Sequence, residues 1–216
     1  MQKYLALFFL ISVWSCQNNA TTNEDRSSIN LSEQTTNPTD QAIIQQFNEG
    51  DIRFFRESDD MVIGIIEDIL RSPVLQTAQK RLTASEKGET RSYTEGNRKK
   101  YEVRYQGNGF KLYDGSERFL FAVSVKDNGF DIGFDETISN YYDIQFVKAS
   151  NAKITYRGST LGNLYYVDES VFISAFGERY YVNKNGFHSA YSIISMTRIP
   201  LEERLILITE LFQMGY

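Results

Sequence analysis

The fold is decided by the stretch YEVRYQGNGFKLYDGSERFLFAVSVKDNGFDIGF, which occupies residues 101–134. Aromatic and aliphatic residues alternate with polar ones along it, which is the period of a half-buried β-strand. Turn sequences rich in glycine, asparagine and aspartate separate the runs, at residues 106–109, 114–116 and 126–129. Turns of this kind join neighbouring antiparallel strands. The stretch therefore predicts an antiparallel meander.

The same alternation continues towards the C-terminus, at residues 142–146, 154–156, 164–166, 171–173 and 180–182. Counted together, the runs predict about ten short strands. Closing such a sheet on itself removes its exposed edges. We therefore predict a mainly β (α+β) fold, built as a closed or strongly curled antiparallel β-barrel.

A helix is expected after the strands. Pro200 suits its first turn, Glu202 and Glu203 complement the helix dipole, and Gly215 suits its end. Its apolar residues surround the axis on nearly every side; they are Leu201, Leu205, Ile206, Leu207, Ile208, Leu211, Phe212 and Met214. A helix that is apolar all round has to be buried all round, so we expect the barrel to enclose it.

The region before the meander has a different spacing. Residues 58–84 carry apolar positions at helical intervals, with Ser58 as a candidate N-cap and Pro73 as a break. Residues 80–104 mix both signs of charge, which favours a solvated loop over a basic patch for anionic headgroups. We therefore assign residues 46–100 to a helical segment and charged loop that precede the barrel.

The N-terminus has the pattern of an export signal. Lys3 supplies a positive charge, residues 4–14 are mostly apolar, and Ser15 precedes Cys16, the only cysteine of the chain. The residues Val13-Trp14-Ser15-Cys16 resemble the lipobox of bacterial lipoproteins, although that family prefers a small residue where Trp14 stands. The resemblance implies cleavage before Cys16 and lipidation of its thiol. The alternative is an ordinary signal peptide with a cysteine nearby by chance.

This assignment divides the N-terminal part of the chain in two. Residues 1–15 are the lipoprotein signal peptide, and residues 16–45 hold the lipidated cysteine and a polar tether. A coil of this length places a domain about 25 to 30 Å from the bilayer. The lipid would anchor the protein to the bacterial cell envelope. Gln17 differs from the inner-membrane retention signal of lipoproteins, which favours the outer membrane.

The barrel region also resembles a known superfamily. The Gly-punctuated hairpin at residues 105–113, the aromatic strand at residues 119–125 and the helix opening Ile199-Pro200-Leu201 look like the tubby C-terminal-like superfamily, which includes LURP-one-related domains. The resemblance implies a closed barrel threaded by a hydrophobic C-terminal helix over residues 101–216. Members contact lipids, but no lipid-binding residue matches here. The lipoprotein-carrier fold, with its helix across an open half-barrel, is the structural alternative.

The sequence offers few groups for catalysis. His188 is the only histidine, no serine lies in a Gly-x-Ser-x-Gly elbow, and Cys16 is assigned to lipid. The acidic residues of segment 127–136 suggest calcium, yet their spacing does not match an EF-hand, so polar hairpin positions explain them better. Paired tyrosines at 141–142, 165–166 and 180–181 suit either a ligand surface or sheet packing. We therefore expect no enzyme activity, no catalytic residue, no cofactor and no metal.

The expected function is binding near a membrane. The net charge of −5 argues against a nucleic-acid partner. The sequence favours a non-catalytic envelope lipoprotein whose β domain binds a lipid, a small amphipathic ligand or an envelope-protein partner. The alternatives are a structural role through surface contacts and a carboxylate-based hydrolase. An apolar cavity beside the terminal helix would favour ligand binding, and a filled core would favour surface contacts.

Overall fold

The computed structural model describes residues 51–148, 151–167, 170–183 and 187–216. Within them the chain forms fourteen antiparallel strands that pair in sequence order and close into a barrel. The strands are Ile52–Arg56 (β1), Met61–Glu67 (β2), Val74–Gln76 (β3), Arg81–Lys87 (β4), Thr90–Glu95 (β5), Arg98–Gln106 (β6), Gly109–Asp114 (β7), Phe119–Lys126 (β8), Gly129–Gly133 (β9), Tyr141–Lys148 (β10), Asn151–Tyr156 (β11), Ser159–Val167 (β12), Ser170–Ala175 (β13) and Glu178–Val182 (β14). A 3₁₀ helix, Ser189–Ser195, and an α-helix, Leu201–Gln213 (α1), follow.

The first and last strands close the sheet. Phe54 of β1 lies opposite Val182 of β14, and Arg56 lies opposite Tyr180. The prediction of a mainly β fold with a closed antiparallel barrel is confirmed. The alternative of an open half-barrel is wrong, because the pairing of β1 with β14 leaves no gap in the wall.

Helix α1 and the 3₁₀ helix fill the barrel. A sheet of fourteen strands encloses more space than the side chains of its own wall can fill. Residues 205–208 and Leu211 of α1 are fully buried, and so are Ile193 and Ile194 of the 3₁₀ helix. The predicted burial of the terminal helix is therefore confirmed.

Gly64 in β2 lets the wall approach α1. A Cβ atom at this position would lie 3.0 Å from Cδ2 of Leu205, which is closer than real Cβ contacts usually are. The missing side chain therefore gives Leu205 its room against the wall.

The predicted helix over residues 58–84 is wrong, because this segment forms β2, β3 and the start of β4. The apolar spacing of Met61–Glu67 suits one face of a helix. However, Val62, Ile63, Ile65 and Ile66 are all β-branched, and such side chains favour a strand. Asp60, with φ at 54°, turns the chain back from β1 into β2.

The predicted charged loop at residues 80–104 is also wrong, because it forms β4, β5 and most of β6. Tyr93 and Val103 point into the barrel and are fully buried. Charged residues occupy the outward positions between them; Glu102, for example, accepts hydrogen bonds from Lys99 and Arg104 at 2.7 and 2.6 Å. The mixed charges therefore mark the solvated face of strands, and the barrel begins at β1 and not at residue 101.

Three of the predictions fall outside the described residues. They are the signal peptide at residues 1–15, lipidation at Cys16 and the tether at residues 16–45. Within residues 51–148, 151–167, 170–183 and 187–216, no helix combines the length and apolarity needed to cross a bilayer.

Candidate functional site

A charged cluster lies inside the barrel, where α1 meets β5 and β6. Glu210 of α1 is fully buried. Its carboxylate accepts hydrogen bonds from the hydroxyls of Tyr93, at 2.5 Å, and Tyr105. Arg91 Nη1 lies 3.2 Å from Glu210 Oε2 and also donates to Gln213. We call Arg91, Tyr93, Tyr105 and Glu210 the inner cluster.

The carboxylate of Glu210 is matched by donors within the inner cluster, and Arg91 also pairs with Glu86 at 2.7 Å. Burial raises the pKa of the Glu210 carboxyl, while Arg91 and the two hydroxyls act in the opposite direction. Burial lowers the pKa of Arg91, but the Glu210 carboxylate and the hydrogen bond to Glu86 together outweigh it, so the net shift is upward. Burial and the same carboxylate raise the pKa of Tyr93 and Tyr105. Because the carboxylate is already matched by these donors, the inner cluster fastens α1 to the wall.

His188 lies in an aromatic setting just before the 3₁₀ helix. Its ring centroid is 4.1 Å from that of Phe212 and 5.6 Å from that of Tyr191. Burial lowers the pKa of His188, partly offset by a backbone hydrogen bond involving Tyr216. The ring therefore packs between the 3₁₀ helix and the end of α1.

The outer wall carries a row of aromatic side chains across four neighbouring strands. Tyr165, Phe172, Tyr181 and Phe55 lie opposite one another in β12, β13, β14 and β1. Their ring centroids are 5.8, 6.3 and 4.6 Å apart in that order. These four residues form the aromatic row. The outer two contacts are stacked and the one between Phe172 and Tyr181 is tilted. Packing of these half-buried rings stabilises the wall.

A rigid loop, residues 134–140, joins β9 to β10 on the outside of the barrel. Asp135 holds it by accepting hydrogen bonds from the backbone and hydroxyl of Thr137, at 3.0 and 2.6 Å. It also accepts from the backbone and hydroxyl of Ser139, at 3.1 and 2.9 Å. These bonds keep the pKa of the Asp135 carboxyl well below its usual range. Asp135 is therefore occupied in shaping its own loop.

A polar cleft lies beside this loop, on the outer faces of β10 and β11. Its volume is about 360 Å³. It is lined by Ser139, Tyr141, Asp143, Thr155, Arg157 and Gly158. Five of these residues have polar side chains, and Gly158 contributes its backbone. We call these six residues the polar cleft.

Asp143 is the acidic group of the polar cleft. Its Oδ2 accepts a hydrogen bond from Gln145 Nε2 at 2.6 Å. Its Oδ1 is buried and accepts no hydrogen bond from the described residues. Lys126 Nζ lies 3.7 Å from that oxygen, and 2.6 Å from Asp131 in the neighbouring strand. Both oxygens of Glu210 accept hydrogen bonds, whereas the carboxylate of Asp143 accepts them on one oxygen only within the described residues.

Arg157 is the basic group of the polar cleft. With φ at 50° it occupies the left-handed region, in a two-residue turn with Gly158 at φ 78°. Asparagine or glycine is favoured there, so arginine costs backbone energy. Its Nε donates to Asn140 Oδ1 at 3.2 Å, and its guanidinium lies 5.3 Å from the ring centroid of Tyr156. These contacts hold Arg157 at the edge of the cleft.

A second cleft, of about 290 Å³, lies on the other side of the loop, against β7 and β8. Glu136 of the loop pairs with Lys111 of β7 at 2.7 Å, and both residues line this cleft. Because these two charges already neutralise each other, the second cleft offers a ligand less than the polar cleft does.

The structure separates the residues that the sequence singled out. In the acidic segment, Asp131 pairs with Lys126, Glu136 pairs with Lys111, and Asp135 caps its loop. The described residues contain no group of three or more histidine, cysteine or acidic side chains placed to hold a metal ion. The calcium alternative therefore has no support in the described geometry.

The paired tyrosines divide between the two faces of the wall. Tyr142 and Tyr180 are buried in the core, whereas Tyr141 lines the polar cleft. Sequence reasoning missed Arg157 and Asp143, which complete that cleft. Arginine before Gly158 in a hairpin turn was the available signal, because asparagine is the usual residue there.

Comparison with known proteins adds no relative: no protein family, curated protein or solved structure matches the chain. The proposals below therefore rest on the sequence and on the geometry described above.

Proposed function

We propose that the protein is a non-catalytic lipoprotein of the bacterial cell envelope that binds its partner on the outer wall of the barrel. The observation that carries this proposal is the burial of α1 and the 3₁₀ helix inside the barrel. The side chains of α1 and of the 3₁₀ helix occupy the space in which a carrier would hold a lipid. A filled core favours surface contacts over an enclosed amphipathic ligand.

The outer wall supports the proposal in two places. The aromatic row gives it a half-exposed apolar strip, and the polar cleft gives it hydrogen-bonding groups. The aromatic row lies on strands of the closed barrel, and the polar cleft combines two of its strands with a hydrogen-bonded loop and a tight turn. Regular strands hold binding groups more rigidly than free loops do. The tubby-like resemblance agrees with the architecture of a barrel around a helix.

The anchor is the lipid that we expect on Cys16. Replacing Cys16 with alanine removes the acylated thiol, so the protein should no longer partition into detergent or sediment with membranes. The domain should stay folded, because its core begins downstream at β1. Circular dichroism of the Cys16→Ala chain checks folding, and retention of this chain in the membrane fraction would overturn the anchor.

Native mass spectrometry tests where binding occurs. We expect the Cys16→Ala chain, purified from its host without denaturant, to have the mass of the polypeptide alone. An amphipathic molecule that is released only when the chain unfolds would place a ligand inside the barrel. That result would replace the proposed function with ligand carriage.

A further inference from the structure

We propose that the polar cleft is a binding site for a neutral saccharide, with one hexose unit of a glycan as its smallest ligand. This inference rests on the proposed function, because it names the ligand class for one part of the outer wall. It depends on the lining of the cleft, on its charge balance and on its rigidity.

The lining matches the hydrogen-bonding pattern of a sugar. A sugar hydroxyl both donates and accepts, so it needs acceptors and donors close together. Asp143 supplies a carboxylate, while Ser139 and Thr155 supply hydroxyls. Because Oδ1 of Asp143 is enclosed beside Lys126, a sugar hydroxyl would donate to Oδ2, which can accept a further hydrogen bond beside that from Gln145.

Tyr141 and Arg157 complete the set. Tyr141 adds an aromatic ring, which suits the C–H groups of a sugar ring. Within the described residues its hydroxyl makes no hydrogen bond, and its ring lies 5.5 Å from Lys126 Nζ. Arg157 donates a hydrogen bond from Nε to Asn140 Oδ1, while its terminal nitrogens have no hydrogen-bond acceptor among the described residues. These nitrogens are available to donate to a ligand oxygen.

The charges of the cleft favour a neutral ligand. Arg157 and Lys126 bring two positive charges, which Asp143 and Asp131 balance. A phosphate or a carboxylate ligand would meet the carboxylate of Asp143 without a surplus of positive charge. A purely apolar ligand would leave the polar lining unpaired. A polyhydroxyl compound avoids both costs.

The cleft is held in shape before any ligand arrives. The hydrogen bonds of Asp135 fix the loop that carries Ser139. The pairing of Asp143 with Thr155 fixes the floor on β10 and β11. A preformed site of this kind loses little entropy on binding. Its volume of about 360 Å³ lies in the range of small-molecule sites.

Saturation-transfer NMR tests the proposal. The probes are glucose, galactose, N-acetylglucosamine and cellobiose, added to the full chain in a detergent without a sugar headgroup. We expect saturable transfer to at least one of these sugars, with a dissociation constant of about 1 mM. Absence of transfer to all four probes would overturn the proposal.

The decisive variant is Arg157→Asn. Asparagine tolerates the left-handed backbone, so the hairpin keeps its turn while the cleft loses its guanidinium. We expect sugar affinity to fall about tenfold, because a charge-assisted donor is removed. Arg98→Asn is the matched control, since Arg98 is an exposed arginine outside the cleft, and it should bind as the unaltered chain does.

A second variant guards against indirect effects. Thr155→Val keeps the shape of the strand side chain and removes one hydroxyl from the cleft, so we expect a smaller loss than for Arg157→Asn. Equal binding by all variants would place the sugar elsewhere and overturn the cleft as its site. Native mass spectrometry of the interior is independent of these results, so the cleft proposal and the proposed function fail separately.

Discussion

Inside the barrel, Glu210 accepts hydrogen bonds from Tyr93, Tyr105 and Arg91, whereas on the outer wall one oxygen of Asp143 accepts none from the part of the chain that the structure describes. Arginine, tyrosine and a carboxylate occur in both places. In the inner cluster the protein satisfies the carboxylate itself. In the polar cleft it leaves capacity for another molecule. Residue types alone therefore do not mark a binding site, and unused hydrogen-bonding capacity next to an open space does.

The comparison predicts unequal costs for removing the two carboxylates. Glu210→Ala removes the common acceptor of the buried Tyr93 and Tyr105 hydroxyls. It also removes the buried carboxylate partner of Arg91, which keeps its hydrogen bonds to Glu86 and Gln213. We expect the free energy of unfolding to fall by about 3–5 kcal/mol. Urea unfolding of the full chain, followed by circular dichroism, measures this change.

Asp143→Ala is the matched control for that experiment. Its side chain is partly exposed and its nearest cation, Lys126, keeps a partner in Asp131. We expect a loss below about 1 kcal/mol. Equal losses for the two variants would show that the inner cluster does not hold the fold, and the contrast between the two regions would have to be abandoned.

A second carboxylate of α1, Glu203, makes the stability of the buried helix depend on pH. Burial, followed by the neighbouring Glu202 carboxylate, raises the pKa of Glu203 to about 7. The folded state therefore holds the Glu203 proton more tightly than the unfolded state does. This stabilisation is complete below the ordinary pKa of 4.5 and is lost as the pH rises through about 7.

Glu203→Gln should remove that loss. The difference between about 7 and 4.5 corresponds to about 3 kcal/mol. Because part of this stabilisation is already lost at pH 5, we expect the unaltered chain to lose about 2–3 kcal/mol more stability between pH 5 and pH 8 than the variant does. Urea unfolding at both pH values measures the difference.

The control for the pH experiment is Glu202→Gln. Burial acts to raise the pKa of Glu202 as well, but the hydrogen bond to Lys80, a backbone hydrogen bond and the Lys80 charge together outweigh it and lower the pKa. Its contribution is present above its ordinary pKa and is lost only in acid. The Glu202→Gln variant should therefore keep the decline between pH 5 and pH 8. A decline that persists in Glu203→Gln would assign it to another group.

The sequence was sufficient for part of this architecture. Alternation in residues 101–134 predicted the meander, and the all-round apolar surface of α1 predicted its burial. The segment Met61–Glu67 was misassigned because its apolar positions satisfy the helical spacing and the strand pattern equally. The high proportion of β-branched residues in this segment favours the strand over the helix, and the spacing of apolar positions does not reflect that proportion.

The sites were harder to predict because they join distant parts of the chain. Arg91 and Glu210 are separated by 119 positions, and only the closed sheet brings them together. A buried glutamate in an apolar helix needs a partner, but the helix pattern does not say which residue that is. Asp143 and Arg157 line the same cleft because β10 and β11 pair in a register that sets Asp143 opposite Thr155. The alternation of apolar and polar residues shows which face of the sheet a side chain occupies. Its neighbours on the adjacent strands depend on the pairing register, which the alternation does not show.

The smallest expected effect on stability belongs to Arg157→Asn. Asparagine relieves the left-handed backbone at this turn, worth about 0.5–1 kcal/mol. The variant loses the exposed hydrogen bond to Asn140 and the contact of the guanidinium with Tyr156, which together are worth a similar amount. We therefore expect the free energy of unfolding to change by less than about 0.5 kcal/mol. Urea unfolding of the Arg157→Asn and Glu210→Ala chains under the same conditions measures the two changes in the free energy of unfolding. A loss above about 1 kcal/mol would make Arg157 part of the framework, and the outer wall would then resemble the inner cluster in using its arginine for the fold.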